Sequence, residues 1–205
     1  MAYLLQLDSS ANLNSSATRR LTAEAAERWV SGGADREVRR RDLHTHPLPH
    51  LPTNALHFIA SRRPADSAAP SSEAQRLQDE LLDELAGAAA VLIGSPMYNF
   101  SMPSTLKAWL DYVHVIGANS PAGEGVDPLR SKPVTVISAR STPTGADPRT
   151  DFVLGPFFAI LGGFMSMDVQ GFVVHTEPPA AAGDFHRPYD AVRDEVLASV
   201  DRAVN

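Results

Sequence analysis

Three short stretches of this chain carry residue types suited to holding a flat, polar ligand. The first reads Asp8-Ser9-Ser10-Ala11-Asn12-Leu13-Asn14-Ser15-Ser16-Ala17-Thr18 and runs into a helical pattern. Unpaired N–H groups and the positive end of a helix dipole make such a place a phosphate site. It has neither the G-x-x-x-x-G-K-[ST] nor the G-x-G-x-x-G spacing, so it is not a P-loop or a dinucleotide-binding turn of the usual kind. The plainer alternative is that Ser15 or Ser16 only caps the helix. The second stretch, Met97-Tyr98-Asn99-Phe100, lies between an apolar run and a helical pattern. Its backbone amides and aromatic rings suit the polar edge and the face of a planar ring, unless Tyr98 and Phe100 simply pack beneath a sheet. The third, residues 138–145, brings Ala139 and Arg140, and Arg140 either approaches a ring or substrate anion or pairs with a nearby carboxylate.

The elements that must position these stretches alternate along the chain. Strand patterns fall at residues 2–7, 37–43, 91–94, 134–138 and 167–175. Helical patterns fall at 16–30, 72–86, from 104 to about 114, 150–161 and 188–200. Leu21, Ala25, Ala26 and Trp29 repeat at helical spacing, as do Leu77, Leu81, Leu82 and Leu85. This βα repetition predicts an α/β, doubly wound, five-stranded parallel sheet of order 2-1-3-4-5, with helices on both faces. In that order the ligand crevice lies beyond the carboxyl ends of the strands, where all three stretches emerge. Residues 46–72, rich in Pro, Ala and Ser, read as an insertion with a short helix near 54–61 that covers one edge of the site. We expect one domain spanning residues 1–205.

Composition narrows the chemistry. With 43% hydrophobic and 20% charged residues the chain is an ordinary globular one. It has no cysteine, so disulfides, thiolate metal sites and cysteine nucleophiles are excluded. A net charge of −6 argues against nucleic-acid binding, and the Val38-Arg39-Arg40-Arg41-Asp42 cluster reads as a solvated strand edge. The longest apolar run, 153–165, is broken by Gly155, Pro156, Gly162 and Gly163, so no membrane span is expected. The N-terminus starts directly as a strand without a basic region, which reads as a chain without a signal peptide. His44, His46 and His50 are separated by Pro47 and Pro49, and no functional metal is expected from them. No Gly-x-Ser-x-Gly elbow supports a hydrolase.

Met97-Tyr98-Asn99-Phe100 with Leu106-Lys107 resembles the most specific motif of the FMN-dependent NADH:quinone oxidoreductase and azoreductase family, which is flavodoxin-like. Leu7-Asp8-Ser9-Ser10 with Ser16 is similar to that family's phosphate loop. Arg41-Asp42-Leu43 with Pro47 to Leu51, and residues 157–168, are similar to further family segments, so the likeness covers nearly the whole chain. It implies non-covalent FMN, NADH or NADPH as electron donor, a quinone or azo acceptor, ping-pong two-electron transfer, a homodimer and a cytoplasmic location. It further implies that Ser10, Ser16, Ala17 and Thr18 hold the phosphate and that Met97, Tyr98, Asn99 and Phe100 hold the ring. Ala139 and Arg140 complete the ring site, with Asn99 and Arg140 expected to be catalytic. The chain departs from the family where Ala139-Arg140-Ser141-Thr142 replaces Ser-Arg-Gly-Gly: side chains there reshape the site. Three other readings remain: a specialised tailoring reductase of a biosynthetic pathway, a flavodoxin-like electron carrier, and a pseudoenzyme that keeps the fold for a partner.

Overall fold

A computed structural model describes residues 1–118, 129–141, 151–176 and 187–203. Five parallel strands form one sheet in the order β2-β1-β3-β4-β5. They are β1 (Ala2–Asp8), β2 (Arg36–Asp42), β3 (Ala90–Gly94), β4 (Pro133–Arg140) and β5 (Asp168–His175). The expected α/β class and strand order are both observed. The central strands β1 and β3 read as apolar runs because both their faces are covered. Register aligns Asp8 with Gly94 and, on the other side, Asp8 with Asp42, so β1, β2 and β3 end at one level.

Helices α1 (Ala17–Ser31) and α5 (Tyr189–Arg202) cover one face of the sheet. Leu21, Ala25 and Trp29 pack there with Leu4, Leu92 and Val196. Helices α2 (Ser72–Gly87), α3 (Ser104–Val113) and α4 (Leu154–Phe157) cover the other, where Leu81, Leu106, Trp109 and Phe157 meet Leu5, Leu7 and Val136. The side chain of Ser71 caps α2 by accepting from the Ala74 N–H at 3.1 Å. The helix expected over 150–161 begins later and changes character: α4 continues as a π-helix, Phe158–Phe164. Residue 150 itself lies outside the described residues. Pro156 is tolerated only within a first helical turn, and the Gly162-Gly163 pair gives the wider turn no Cβ to accommodate.

The insertion before α2 forms two 3₁₀ turns, Asn54–His57 and Ala60–Arg62, rather than one helix. The buried Gln78 amide ties it down by donating to the carbonyls of Leu56 (2.7 Å) and Tyr112 (3.0 Å). The basic edge strand is less solvated than its composition suggests. Arg40 pairs with Asp8 at 2.7 Å, Arg41 pairs with Glu80 and Glu84, and Arg39 stacks on the Tyr3 ring.

Candidate functional site

The loop leaving β1 is built around Ser10 and Asn12. The Ser9 hydroxyl donates to the Gly94 carbonyl at 2.7 Å, which fixes the loop to the end of β3. The Ser10 hydroxyl oxygen accepts from the Asn12 N–H at 3.2 Å, leaving its own proton to donate. Asn12 Oδ1 accepts from the N–H groups of Asn14 (3.2 Å) and Ser15 (3.0 Å), a side chain standing in for backbone in a tight turn. Of the two candidate caps, Ser16 is the one used: its hydroxyl accepts from the Arg19 N–H at 3.3 Å and lies 3.0 Å from the Thr18 hydroxyl. The N–H groups of Ala17 and Thr18 precede the first intrahelical bonds of α1 and have no helical partner. The Thr18 side chain itself is buried against the end of β3, where a Cβ on Gly94 would meet it at 3.4 Å. Thr18 therefore reaches the cleft through its backbone and through the Ser16 hydroxyl.

The turn after β3 is a type I′ hairpin. Tyr98 and Ser101 exchange N–H···O=C bonds of 2.9 and 3.0 Å, and Asn99 and Phe100 sit at φ 50° and 64°. Asn tolerates this left-handed backbone; a bulky aromatic does so rarely, so Phe100 holds real strain. The Phe100 ring is 60% exposed. Two of the four amides of this motif are already engaged within the fold. The Met97 N–H donates to the Ala139 carbonyl at 2.9 Å, and the Tyr98 N–H closes the hairpin. The apex amides of Asn99 and Phe100 are the ones the turn leaves for a ligand.

Of the two readings for Arg140, pairing with a carboxylate is the one observed. The Ala139 side chain is buried with α1 and α5, and its carbonyl is taken by Met97. Arg140 pairs with Asp151 and donates to the Ser138 hydroxyl at 2.9 Å, and its side chain is 0% exposed. Asp151 also accepts from the N–H groups of Val153 (2.8 Å) and Leu154 (2.9 Å), where α4 begins. These charge-assisted bonds hold the Asp151 carboxyl below its ordinary pKa in spite of burial. Arg140 joins the end of β4 to the start of α4. The Thr142-Pro143 part of this loop lies outside the described residues.

The first two stretches meet. The Tyr98 hydroxyl accepts from the Ala11 N–H at 2.9 Å and lies 3.4 Å from the Ser10 hydroxyl. The two loops therefore border one stretch of surface, from the N-terminus of α1 to the Asn99-Phe100 apex, at the carboxyl ends of β1 and β3. A separate cavity of about 480 Å³, lined by Pro49, His50, Ser71, Leu77 and Tyr112, touches neither stretch.

The family model for the flavodoxin-like fold matches residues 2–196. An FMN-dependent NADH:quinone oxidoreductase of Kineococcus radiotolerans is 40% identical over 185 residues, covering 88% of this chain and 85% of that protein. The chain belongs to the FMN-dependent NADH:quinone oxidoreductase family. A second member, from Azotobacter vinelandii, is 34% identical over 207 residues, covering 98% of this chain and all of that one. The crystal structure of an FMN-dependent NADH-azoreductase from Bacillus anthracis in complex with FMN superposes over both whole chains with a TM-score of 0.74. At 18% identity that likeness speaks to the fold.

Asp8, Arg19, Arg40 and Asp42 form a network of charges beneath the loop after β1 that the sequence reading did not single out as a site. Asp8 is buried and accepts from Gln6, Thr22 (2.7 Å) and Arg40 (2.7 Å). Arg19 donates to the Ser10 carbonyl and pairs with Asp42. Asp8 and Asp42 are register partners at the ends of adjacent parallel strands, a pairing that only the folded sheet shows.

Proposed function

We propose that this protein is an FMN-dependent oxidoreductase that passes two electrons from NADH to quinone and azo acceptors. The observation that supports the reading is that a hydroxyl-rich helix N-terminus and an aromatic type I′ turn lie a hydrogen bond apart at the carboxyl ends of β1 and β3. The residues fit the cofactor. A phenolic oxygen already sits on the Ala11 N–H, where an oxygen of a phosphate finds the same donor. The N–H groups of Ala17 and Thr18, the Ser10 and Ser16 hydroxyls and the α1 dipole converge there.

FMN, when bound, supplies the redox chemistry between the nicotinamide and the acceptor. The chain binds and orients. The phosphate loop anchors one end, and the Asn99 and Phe100 amides serve the polar edge of the ring, where donors stabilise negative charge that develops on reduction. The exposed Phe100 ring offers an apolar wall for a planar donor or acceptor. Arg140 acts by holding the β4–α4 loop in place. We also propose a homodimer acting in the cytoplasm; the exposed rings of Phe100, Phe152 and Phe164 support a surface that another copy covers.

The test is an absorbance spectrum after incubation with FMN and desalting, followed by anaerobic NADH and then menadione. A retained flavin band that bleaches with NADH and returns with the quinone is the expected result. A protein that retains no FMN refutes the assignment; one that retains FMN but ignores NADH refutes the donor and favours a carrier. Light scattering of the same sample reads the dimer.

A further inference from the structure

The peptide joining Ser10 and Ala11 has its two polar ends assigned to opposite tasks. In a trans peptide the C=O and N–H point in opposite directions. The C=O end, on Ser10, accepts from Arg19 Nε at 3.0 Å and Nη2 at 2.7 Å. The N–H end, on Ala11, faces the cleft and meets the Tyr98 hydroxyl at 2.9 Å. Arg19 is itself held: Nη1 and Nη2 donate to the two oxygens of Asp42 at 2.6 and 2.8 Å, a two-pronged contact that lysine cannot copy. Both side chains are largely buried, at 11% and 16% exposure. Asp42 is fixed in turn by the His44 and Thr45 N–H groups, both at 3.2 Å, and by Arg40 at 3.6 Å. Arg19 keeps the Asp42 carboxyl well below the usual carboxylate range, so the pair stays ionised at working pH.

We infer that Arg19 and Asp42 are positioning residues for the cofactor phosphate, and that they act by fixing the orientation of the Ser10–Ala11 peptide. The inference rests on the FMN reading above. If the guanidinium lets go, the peptide is free to rotate. Its carbonyl dipole then faces the phosphate, and a donor becomes a repulsive acceptor. The charge of Arg19 does not explain the arrangement by itself, because Asp42 cancels it at hydrogen-bond distance. The two explanations predict opposite signs for Asp42→Asn. Removing a negative charge near a phosphate tightens binding by simple Coulomb attraction, whereas loosening the peptide weakens it. Asn keeps an oxygen for the His44 and Thr45 N–H groups, so the turn after β2 survives the change.

The experiment titrates flavin-free wild type, Asp42→Asn, Arg19→Lys and Arg19→Gln with FMN and with riboflavin, read by quenching of flavin fluorescence. Riboflavin carries the same ring without the phosphate, so it controls for the rest of the site, and thermal unfolding controls for the fold. The expected result is a loss of FMN affinity of about 10-fold or more in all three variants, the scale of one hydrogen bond to a charged group. Riboflavin affinity stays unchanged, so the preference for FMN collapses. Tighter FMN binding by Asp42→Asn, an unchanged preference, or a parallel loss for riboflavin each overturns the positioning role. A wild type that binds both flavins equally refutes the phosphate reading and the inference with it; one that prefers FMN while the variants keep that preference refutes the inference alone.

Discussion

The strained apex of the type I′ turn gives a prediction whose sign is unusual. At most backbone positions an Ala variant is more stable than a Gly variant by roughly 0.5–1 kcal/mol, because Gly loses more freedom on folding. At residue 100 the order should invert. Phe100 sits at φ 64°, and a residue with a Cβ costs roughly 1–2 kcal/mol there relative to Gly. Subtracting the entropy of Gly leaves Phe100→Gly more stable than Phe100→Ala by about 0.5–1 kcal/mol. For a chain of this size that is about 1–4 °C in Tm. Both variants lose the ring. It is 60% exposed, so about 80 Å² of a side chain of about 200 Å² leaves the protein surface, an upper bound of about 2 kcal/mol against wild type. That term is common to both and drops out of the comparison. The assay is a pair of thermal melts on flavin-free protein with FMN titrations alongside. FMN affinity should fall in both variants by a similar factor, because both remove the wall of the cleft. An Ala variant as stable as the Gly variant, or more so, refutes the strained turn. FMN affinity equal to wild type in both refutes the role of the ring.

Three further outcomes follow from buried charge. Arg140→Met removes the cation paired with the buried Asp151 carboxylate and should destabilise the fold by about 3–5 kcal/mol in urea unfolding, a loss that a surface arginine does not show. Asp42 has a folded pKa depressed below its ordinary 3.8, so its contribution is fully present above that value and is lost as pH falls below it; below about pH 4 wild type should lose stability more steeply than Asp42→Asn in pH-dependent melts. Lys132 is buried, donates to the Leu85 and Ala86 carbonyls at the end of α2, and has its pKa pushed down to about 8 by burial. Because the unfolded chain keeps that proton up to about 10.5, the stability of wild type relative to Lys132→Met should rise from pH 8 to pH 10.5, and a flat difference refutes the burial of a charged amine.

The α/β order was legible because each strand and helix announces itself locally. Buried runs such as 90–93 and helical spacings such as Leu21, Ala25 and Trp29 need no distant partner to be read. The hydroxyl-rich loop after β1 and the aromatic turn after β3 were legible for the same reason, as contiguous motifs at strand ends. What sequence reading could not resolve was which polar atoms of those motifs were already occupied. Four amides of the motif looked equally open, yet Ala139 of β4 and Ser101 accept from those of Met97 and Tyr98. Arg140 looked like a loop cation, yet its partner Asp151 lies across a loop, and burial is a property of the packed pair. Arg19 and Asp42 stayed invisible because they are 23 residues apart and meet only after β1 and β2 come into register. The π-helical turn at 158–164 was unreadable too, since its sequence satisfies an ordinary helical pattern until the sheet edge claims Phe157, Leu161 and Met165.

An acidic chain that binds an anion must keep its own carboxylates from opposing it, and the ends of β1 and β2 show how this one does so. Asp8 and Asp42 are register partners at the rim of the phosphate loop, which alone makes a site of charge −2. Arg40 spans both, at 2.7 and 3.6 Å, and Arg19 grips Asp42. The four charges cancel within a few ångströms, well inside the roughly 8 Å over which salt screens a field at physiological strength. An approaching phosphate therefore meets little net charge from side chains. It meets instead the fixed dipoles of the Ala11, Ala17 and Thr18 N–H groups and of α1, which do not depend on pH in the working range. Affinity should accordingly respond weakly to salt and strongly to loop geometry. Raising salt from about 50 to about 500 mM should change the FMN dissociation constant by less than any of the Arg19 or Asp42 variants does; a larger effect of salt would mean that net charge, not an oriented peptide, holds the cofactor.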